Sequence, residues 1–238
     1  MANNHANDYG PEGRSSTEQT LSALGLISYG PLGQIAIDTL SRGDSATIVG
    51  LVGFATYPHS YDLLDIARSV AVVDSVRRMA DLVVATFHGG TEGIDAVHVG
   101  PGLEYLGREP RGDLRAWAHA VVDAGADVVI GHGPHVLRGM EWYRGRLIAY
   151  SLGNFATYRG FNLSGPLGIT GVLRLELASD GRVTAARLVP MRQEPRQGPQ
   201  PDDTASAVAL VNELSAADFG AAAAQLTPEG NLLIRAEP

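Results

Sequence analysis

Cysteine is absent from the 238 residues, and basic residues are scarce: 18 Lys and Arg against 26 Asp and Glu, a net charge of −8. The first absence excludes disulfides and thiolate metal sites, leaving His, Asp, Glu and Asn as candidate ligands. It suits the cytosol and an exported location equally. The second disfavours a nucleic-acid partner, because no basic stripe exists to neutralise phosphates. No window approaches 18 uninterrupted apolar residues, so no segment reads as a membrane-spanning helix. Residues 1–14 are polar and lack the apolar centre of a leader peptide. Apolar side chains (45%) and glycine (29 residues) are plentiful. They support a real core with many tight loops, in one generous domain or two small ones.

Ser15–Leu24 is predicted as a helix, with Ser15 and Glu18 in capping-box register and Gly25 as its stop. Two strands follow, Gln34–Thr39 and Ala46–Thr56, joined by the turn Ser41-Arg42-Gly43-Asp44. The run Ile48–Phe54 suits a central strand buried on both faces. Leu64, Ala67, Ala71 and Val76 predict a helix over Tyr61–Met79. Asp81–Phe87 reads as a strand ending on His88, and a long Gly- and Pro-rich loop runs on to Arg111. Asp113 caps a helix through Ala124, which Gly125 ends. Strands are expected at Asp127–Ile130 and Arg146–Tyr150, and a hairpin at Gly168–Ala178 with Arg182–Met191. Gln193–Asp203 is polar and Pro-rich, hence a surface connection. A helix near Thr204–Leu214 and an Ala-rich run close the chain.

The most informative stretch is Asp127-Val128-Val129-Ile130-Gly131-His132-Gly133-Pro134-His135. A short apolar run bounded by turn residues is a buried strand. Both histidines then fall past its carboxyl end, where ligands bind in open α/β sheets. A right-handed crossover through the 113–124 helix makes the flanking strands parallel. His88, His132 and His135 are therefore expected to meet on one side of the sheet. The plainer alternative is a set of polar loop histidines with no shared task.

Four motifs occur in order: Ala2-Asn3-Asn4-His5 with Asp8-Tyr9-Gly10; His88-x-Gly90-x-Glu92; Gly131-His132-x-Pro134-His135; and Tyr150-Ser151-Leu152-Gly153-Asn154-Phe155. Together they resemble the bacterial capsule-synthesis proteins of the poly-γ-glutamate (CapA/PgsA) type, in the calcineurin-like metallophosphoesterase superfamily. The resemblance implies a four-layer α/β/β/α sandwich over residues 1–192, with 193–238 a linker and helical extension packed on the same domain. It implies one or two divalent metal ions of the Mn, Fe or Zn class, with Asn4, His88, His132 and His135 as ligands. His5 corresponds to a substrate-facing histidine, a proton donor or charge stabiliser. The chemistry is coherent: imidazole suits these ions, an amide oxygen adds a hard ligand, and metal-bound water is nucleophilic near neutral pH.

Around that set, Asp8 and Glu92 are expected to cap loops or orient a histidine rather than bind metal. Asn154 is expected to hydrogen-bond its own turn. His98 and Glu104 sit in the long loop, either solvent-exposed or against substrate. His59 and His119 read as structural and Trp117 as core. Arg138, Arg144 and Arg146 form either a solvated face or a docking patch for an anionic substrate. Two positions depart from the family pattern: Gly89 stands where tryptophan is common, and Gly133 occupies the middle of the Gly-His-x-Pro-His motif. The superfamily's upstream acidic motifs are also missing, so the chain is expected to be a piece of a longer protein rather than a degenerate member. Missing upstream strands would leave an unpaired sheet edge, inviting self-association.

The resemblance implies a metal-dependent hydrolase acting on an anionic small molecule or polymer. The other reading is a non-catalytic accessory component of poly-γ-glutamate assembly or export, alongside membrane-associated capsule machinery. An acid–base reaction on a peptide is a third. Family members are often membrane-anchored and face outward.

Overall fold

A computed structural model describes residues 1–43, 45–156 and 160–234. Its first helix, α1 (Gly10–Ala23), starts five residues before the expected capping box. Pro11 supplies a first-turn residue whose fixed φ suits a helix start. The expected Ser15–Glu18 box is thus interior to the helix, and α1 buries none of its residues. Strands β1 (Ala36–Arg42) and β2 (Ser45–Ala55) pair antiparallel; of the expected turn, Ser41 and Arg42 belong to β1 and Asp44 lies outside the described residues.

The helix expected from Tyr61 begins later. Tyr61–Asp62 form a short strand, β3, parallel to β2. The Asp62 carboxylate accepts the Leu64 N–H at 2.8 Å, holding the chain in a turn there. Asp65 then caps α2 (Ile66–Arg77) by accepting the Arg68 N–H at 2.9 Å. Strand β4 (Leu82–His88) follows. The expected long loop is not irregular throughout, because β5 (Glu104–Leu106) and β6 (Glu109–Gly112) fold back as a hairpin inside it. Helix α3 (Leu114–Asp123) is capped by Asp113, which accepts the Ala116 N–H at 3.1 Å. Next come β7 (Val128–His132), β8 (Met140–Tyr143) and β9 (Arg146–Ala149).

Among the described residues, the main sheet has the order β1-β2-β4-β7-β9-β8, with β3 attached to β2. Strands β2, β4, β7 and β9 run parallel, flanked by antiparallel β1 and β8. Their carboxyl ends therefore share one side of the molecule. Alternation along each strand divides the core between two faces. Val83, Ala85, Phe87, Val129 and Ile148 pack on Val72, Val76, Trp117 and Val121 of α2 and α3. Leu147 and Ala149, on the opposite face of β9, join Met140 in a second cluster. That cluster is completed by Leu188 of β11 (Val183–Glu194) and by Val208 and Val211 of α4 (Ser206–Phe219).

The second sheet consists of β10 (Ile169–Leu177), β11 and β12 (Gly198–Pro201). Two sheets with helices packed on them make the mixed α/β sandwich that the sequence suggests. One expectation fails here. Gln193–Asp203 is not an irregular connection: β11 runs to Glu194 and β12 pairs with it, with Gln193 and Asp202 buried while Pro195, Arg196 and Gln197 between the strands stay exposed. A division at residue 192 would cut through β11. Proline in an outer strand made the segment read as loop, although edge strands tolerate it.

Candidate functional site

The sheet register places His88 opposite His132, at the ends of adjacent parallel strands. Their Nδ1 atoms lie 2.9 Å apart and their ring centroids 4.9 Å apart. Glycine makes this approach feasible. At Gly131 a side chain would strike the Phe87 ring and the Tyr150 carbonyl oxygen, and at Gly133 (φ +125°) the carbonyl oxygen of Gly89. The backbone past β7 can therefore press against the backbone past β4. A 2.9 Å N···N contact between neutral rings needs one proton between them. Burial, then the neighbouring charges of His132 and Arg111, lowers the His88 pKa from 6.5 to about 2. Burial above all lowers that of His132 to about 4. Both rings are thus neutral lone-pair donors at pH 7. The Nε2 of His88 is buried and has no hydrogen-bond partner.

The amino-terminal segment is packed against this end of the sheet. Ala2 is buried over Gly53 of β2, where a side chain on Gly53 would meet the Ala2 methyl at 3.0 Å. The Met1 ammonium bonds the Tyr29 carbonyl, and His59 Nε2 donates to the Asn3 carbonyl at 2.9 Å. His59 stacks on Tyr57, whose ring centroid is 6.2 Å from that of His88. Asn4 is held within this arrangement with its Oδ1 buried and unpartnered. His5 is exposed, its Nδ1 2.7 Å from the Asp8 carboxylate, so Asp8 orients its ring.

His135 adopts a left-handed backbone (φ +65°), a strained state for a non-glycine residue that costs about 1–3 kcal/mol. Two side chains hold it there. Asn154 Oδ1 lies 2.7 Å from His135 Nδ1, while Asn154 Nδ2 donates to the Leu167 carbonyl at 3.2 Å. Asn154 thus orients the histidine, contrary to the expectation that it bonds its own turn. Glu92 Oε2 stands 3.7 Å from His135 Nε2, and Glu92 Oε1 accepts from Arg111 at 2.8 Å.

Other expectations resolve differently. The three arginines form no patch. Arg138 is buried and chelates Glu104 at 2.9 and 2.8 Å, Arg146 pairs with Asp127, and Arg144 pairs with Asp123. Glu104 is consequently a loop clamp rather than an exposed group. His98 pairs with Asp218 at 2.8 Å, and His119 stacks on Tyr143 and bonds Glu141. Trp117 is fully buried. Arg111, wholly buried beside the histidines, was missed. Arginine ordinarily reads as surface, and only its position just before the Asp113 cap hinted that it faced inward.

The donor chemistry suits a divalent cation: neutral imidazoles and an amide oxygen, of which His88 Nε2 and Asn4 Oδ1 are buried without a hydrogen-bond partner. As placed, no three side chains of the His, Asp or Glu type converge on a single point among the described residues.

Residues 1–159 match the model of the family described as "Bacterial capsule synthesis protein PGA_cap", and the chain belongs to that family. The "PGA biosynthesis protein CapA" of Bacillus subtilis is 33% identical over 177 residues, 67% of this chain and 42% of that protein. The "Capsule biosynthesis protein CapA" of Bacillus anthracis is 31% identical over 178 residues, 68% of this chain and 40% of that protein. A Mycobacterium tuberculosis protein, named for an accessory role in polyglutamine synthesis, is 29% identical over 215 residues, 81% of this chain and 54% of its own length. The chain thus spans about two fifths of the length of the first two relatives.

Proposed function

We propose that this chain is a CapA-like protein of poly-γ-glutamate capsule synthesis, a metal-dependent hydrolase acting on an anionic substrate. The observation that carries the reading is the pairing of His88 with His132 at 2.9 Å, with His88 Nε2 and Asn4 Oδ1 buried and unpartnered. A buried polar atom left unsatisfied costs about 1–3 kcal/mol, and a cation bound at either of these two offsets that cost. Asn4, His88, His132 and His135 would hold the ion. It would supply Lewis-acid chemistry and charge neutralisation.

The chain's own residues then have defined tasks. Burial keeps His88 and His132 uncharged, so each ring carries one lone pair, and an ion that took both would replace the hydrogen bond between them. Asn154 fixes the His135 tautomer, a control of the kind that outer partners exert on histidine ligands. Asp8 holds His5 through Nδ1, which leaves His5 Nε2 to exchange a proton with substrate at the exposed rim. Phe161, with its ring centroid 4.7 Å from that of His135, packs on one side of that imidazole.

The test is Mn²⁺-dependent turnover of an aryl phosphate by the purified protein, with His132→Ala as control. Turnover that needs metal and is lost in the variant supports hydrolysis. Stoichiometric metal without turnover supports the second reading, an accessory component of polymer assembly or export, which the name of the Mycobacterium relative favours.

A further inference from the structure

The two edges of the main sheet end differently. At β8 the Met140 N–H donates to the Ser215 hydroxyl at 2.8 Å, the Met140 carbonyl accepts from the Ala224 N–H at 2.9 Å, and Glu141 bridges to Ala223. The chain's own residues close that edge. At the other edge, β2 is the only strand paired with β1 among the described residues. Ile37, Thr39, Leu40 and Ser41 are exposed there, Leu40 by 57%. Asp81 reveals which backbone groups of β1 are left over. Its carboxylate accepts from the Ile48 N–H at 2.9 Å, and its own N–H donates to the Ile48 carbonyl at 2.8 Å. Ile48 thus directs both groups away from β1. Thr39 is its partner across the ladder, so the backbone of Thr39, and with it that of Ile37 and Ser41, points outward.

This edge lacks the usual guards, since β1 carries no proline, lysine or bulge. An open antiparallel edge can take a strand of its own kind, because a two-fold axis through one residue pairs the strand with its copy and closes the assembly at two. The sequence of β1 selects the axis. A centre at Asp38 sets carboxylate against carboxylate, which is destabilising. A centre at Thr39 sets Asp38 opposite Leu40. A centre at Leu40 sets Leu40 against Leu40, Thr39 opposite Ser41, and acidic Asp38 opposite basic Arg42 on both sides of the axis. Leu40 directs its backbone toward β2, so the central pair is of the non-hydrogen-bonded kind, with the closer side chains. Thr39 and Ser41 of the two copies then exchange N–H···O=C bonds. In the single chain the Thr39 N–H donates to the Asp38 carboxylate at 2.8 Å, and a basic residue opposite Asp38 draws that carboxylate away.

We infer that β1 is an interface with a second copy of this chain: an antiparallel β1–β1 pairing about a two-fold axis at Leu40, which joins the main sheets edge to edge. The inference goes beyond the hydrolase reading and does not depend on it. The axis stands perpendicular to the sheet, so the parallel strands of the two copies run in opposite directions. The two candidate sites then lie at opposite ends of the joined sheet.

Sedimentation velocity across the micromolar range tests this on wild type, Leu40→Lys and Thr39→Pro. Leu40 is exposed and β2 does not use the Thr39 N–H, so both variants keep the fold, which circular dichroism and a thermal melt check. The expected result is a concentration-dependent monomer–dimer equilibrium in wild type, weakened about tenfold or more in each variant. A direct probe is Leu40→Cys, in a chain with no other cysteine. Directly opposed residues of a non-hydrogen-bonded pair have Cα atoms about 4.5 Å apart, within disulfide reach. Oxidation with diamide should therefore yield covalent dimer far faster from Leu40→Cys than from Leu32→Cys, a control at a position exposed by 59%. A wild type that stays monomeric throughout, or a dimer that survives both substitutions, overturns the assignment. Assemblies larger than two, or cross-linking of Leu40→Cys no faster than the control, overturn it equally.

Discussion

Replacing Gly131 with alanine probes how tightly the end of β7 is built. A methyl there would lie 2.6 Å from Phe87 Cε1, and closer still to Phe87 Cζ and the Tyr150 carbonyl oxygen. Phe87 and Tyr150 are fully buried, and the carbonyl is backbone that cannot rotate aside. Overpacking of this kind costs about 1–3 kcal/mol, and the fixed backbone neighbour puts the cost in the upper half of that range. Alanine recovers about 0.5–1 kcal/mol of strand propensity relative to glycine. The net loss is about 1–2.5 kcal/mol, which for a chain of this size lowers the melting temperature by about 2–10 °C. Gly100→Ala is the control, since no heavy atom lies within 4 Å of its added methyl. It should stay within about 0.5 kcal/mol of wild type. Urea midpoints at constant slope, with thermal melts beside them, make the comparison. A Gly131→Ala protein that melts within a degree of wild type would refute the packing argument, and with it the account of how His132 is brought to His88.

Acid should destabilise the metal-free protein through the same pair. His88 and His132 titrate in the folded state at about 2 and about 4, below the ordinary 6.5. The unfolded chain therefore binds more protons below about pH 6.5. Stability is present above that pH and is lost as pH falls, down to about 4 for His132 and about 2 for His88, by up to about 1.4 kcal/mol per pH unit for each ring. Equal urea midpoints at pH 7 and pH 5 in EDTA would contradict this. Separately, Glu104→Ala strands the Arg138 guanidinium in the interior. It should cost about 3–5 kcal/mol in a denaturation experiment. A loss below 1 kcal/mol would mean that water reaches Arg138.

The parallel strands and the meeting of His88 with His132 were legible because the signals were local: apolar runs ending in glycine, and a capped helix of crossover length between them. Trp117 was legible as core for the same reason. The hairpin at Glu104–Gly112 was not, because its stability comes from Arg138, distant in sequence, which clamps Glu104. Strand β12 was hidden by its prolines, and β8 by the charged Glu141 that it buries. Within the candidate site, His88, His132 and His135 could be named from motifs, but the contacts around them could not. That Asn154 orients His135, and that Arg111 is buried and holds Glu92, are properties of tertiary packing that no spacing encodes. The three arginines after the histidines show the opposite failure: adjacent in sequence, they diverge to three separate carboxylates.

The central claim is that Asn4 and the histidines hold a divalent cation. The most direct measurement is the metal content of the protein by plasma mass spectrometry, after equilibration with Mn²⁺, Fe²⁺ or Zn²⁺ and exhaustive dialysis. The account predicts at least one equivalent of one of these ions in the wild type and none in a His88→Ala, His132→Ala double variant that remains folded. A folded wild type that retains no metal, or a double variant that retains as much, would contradict it.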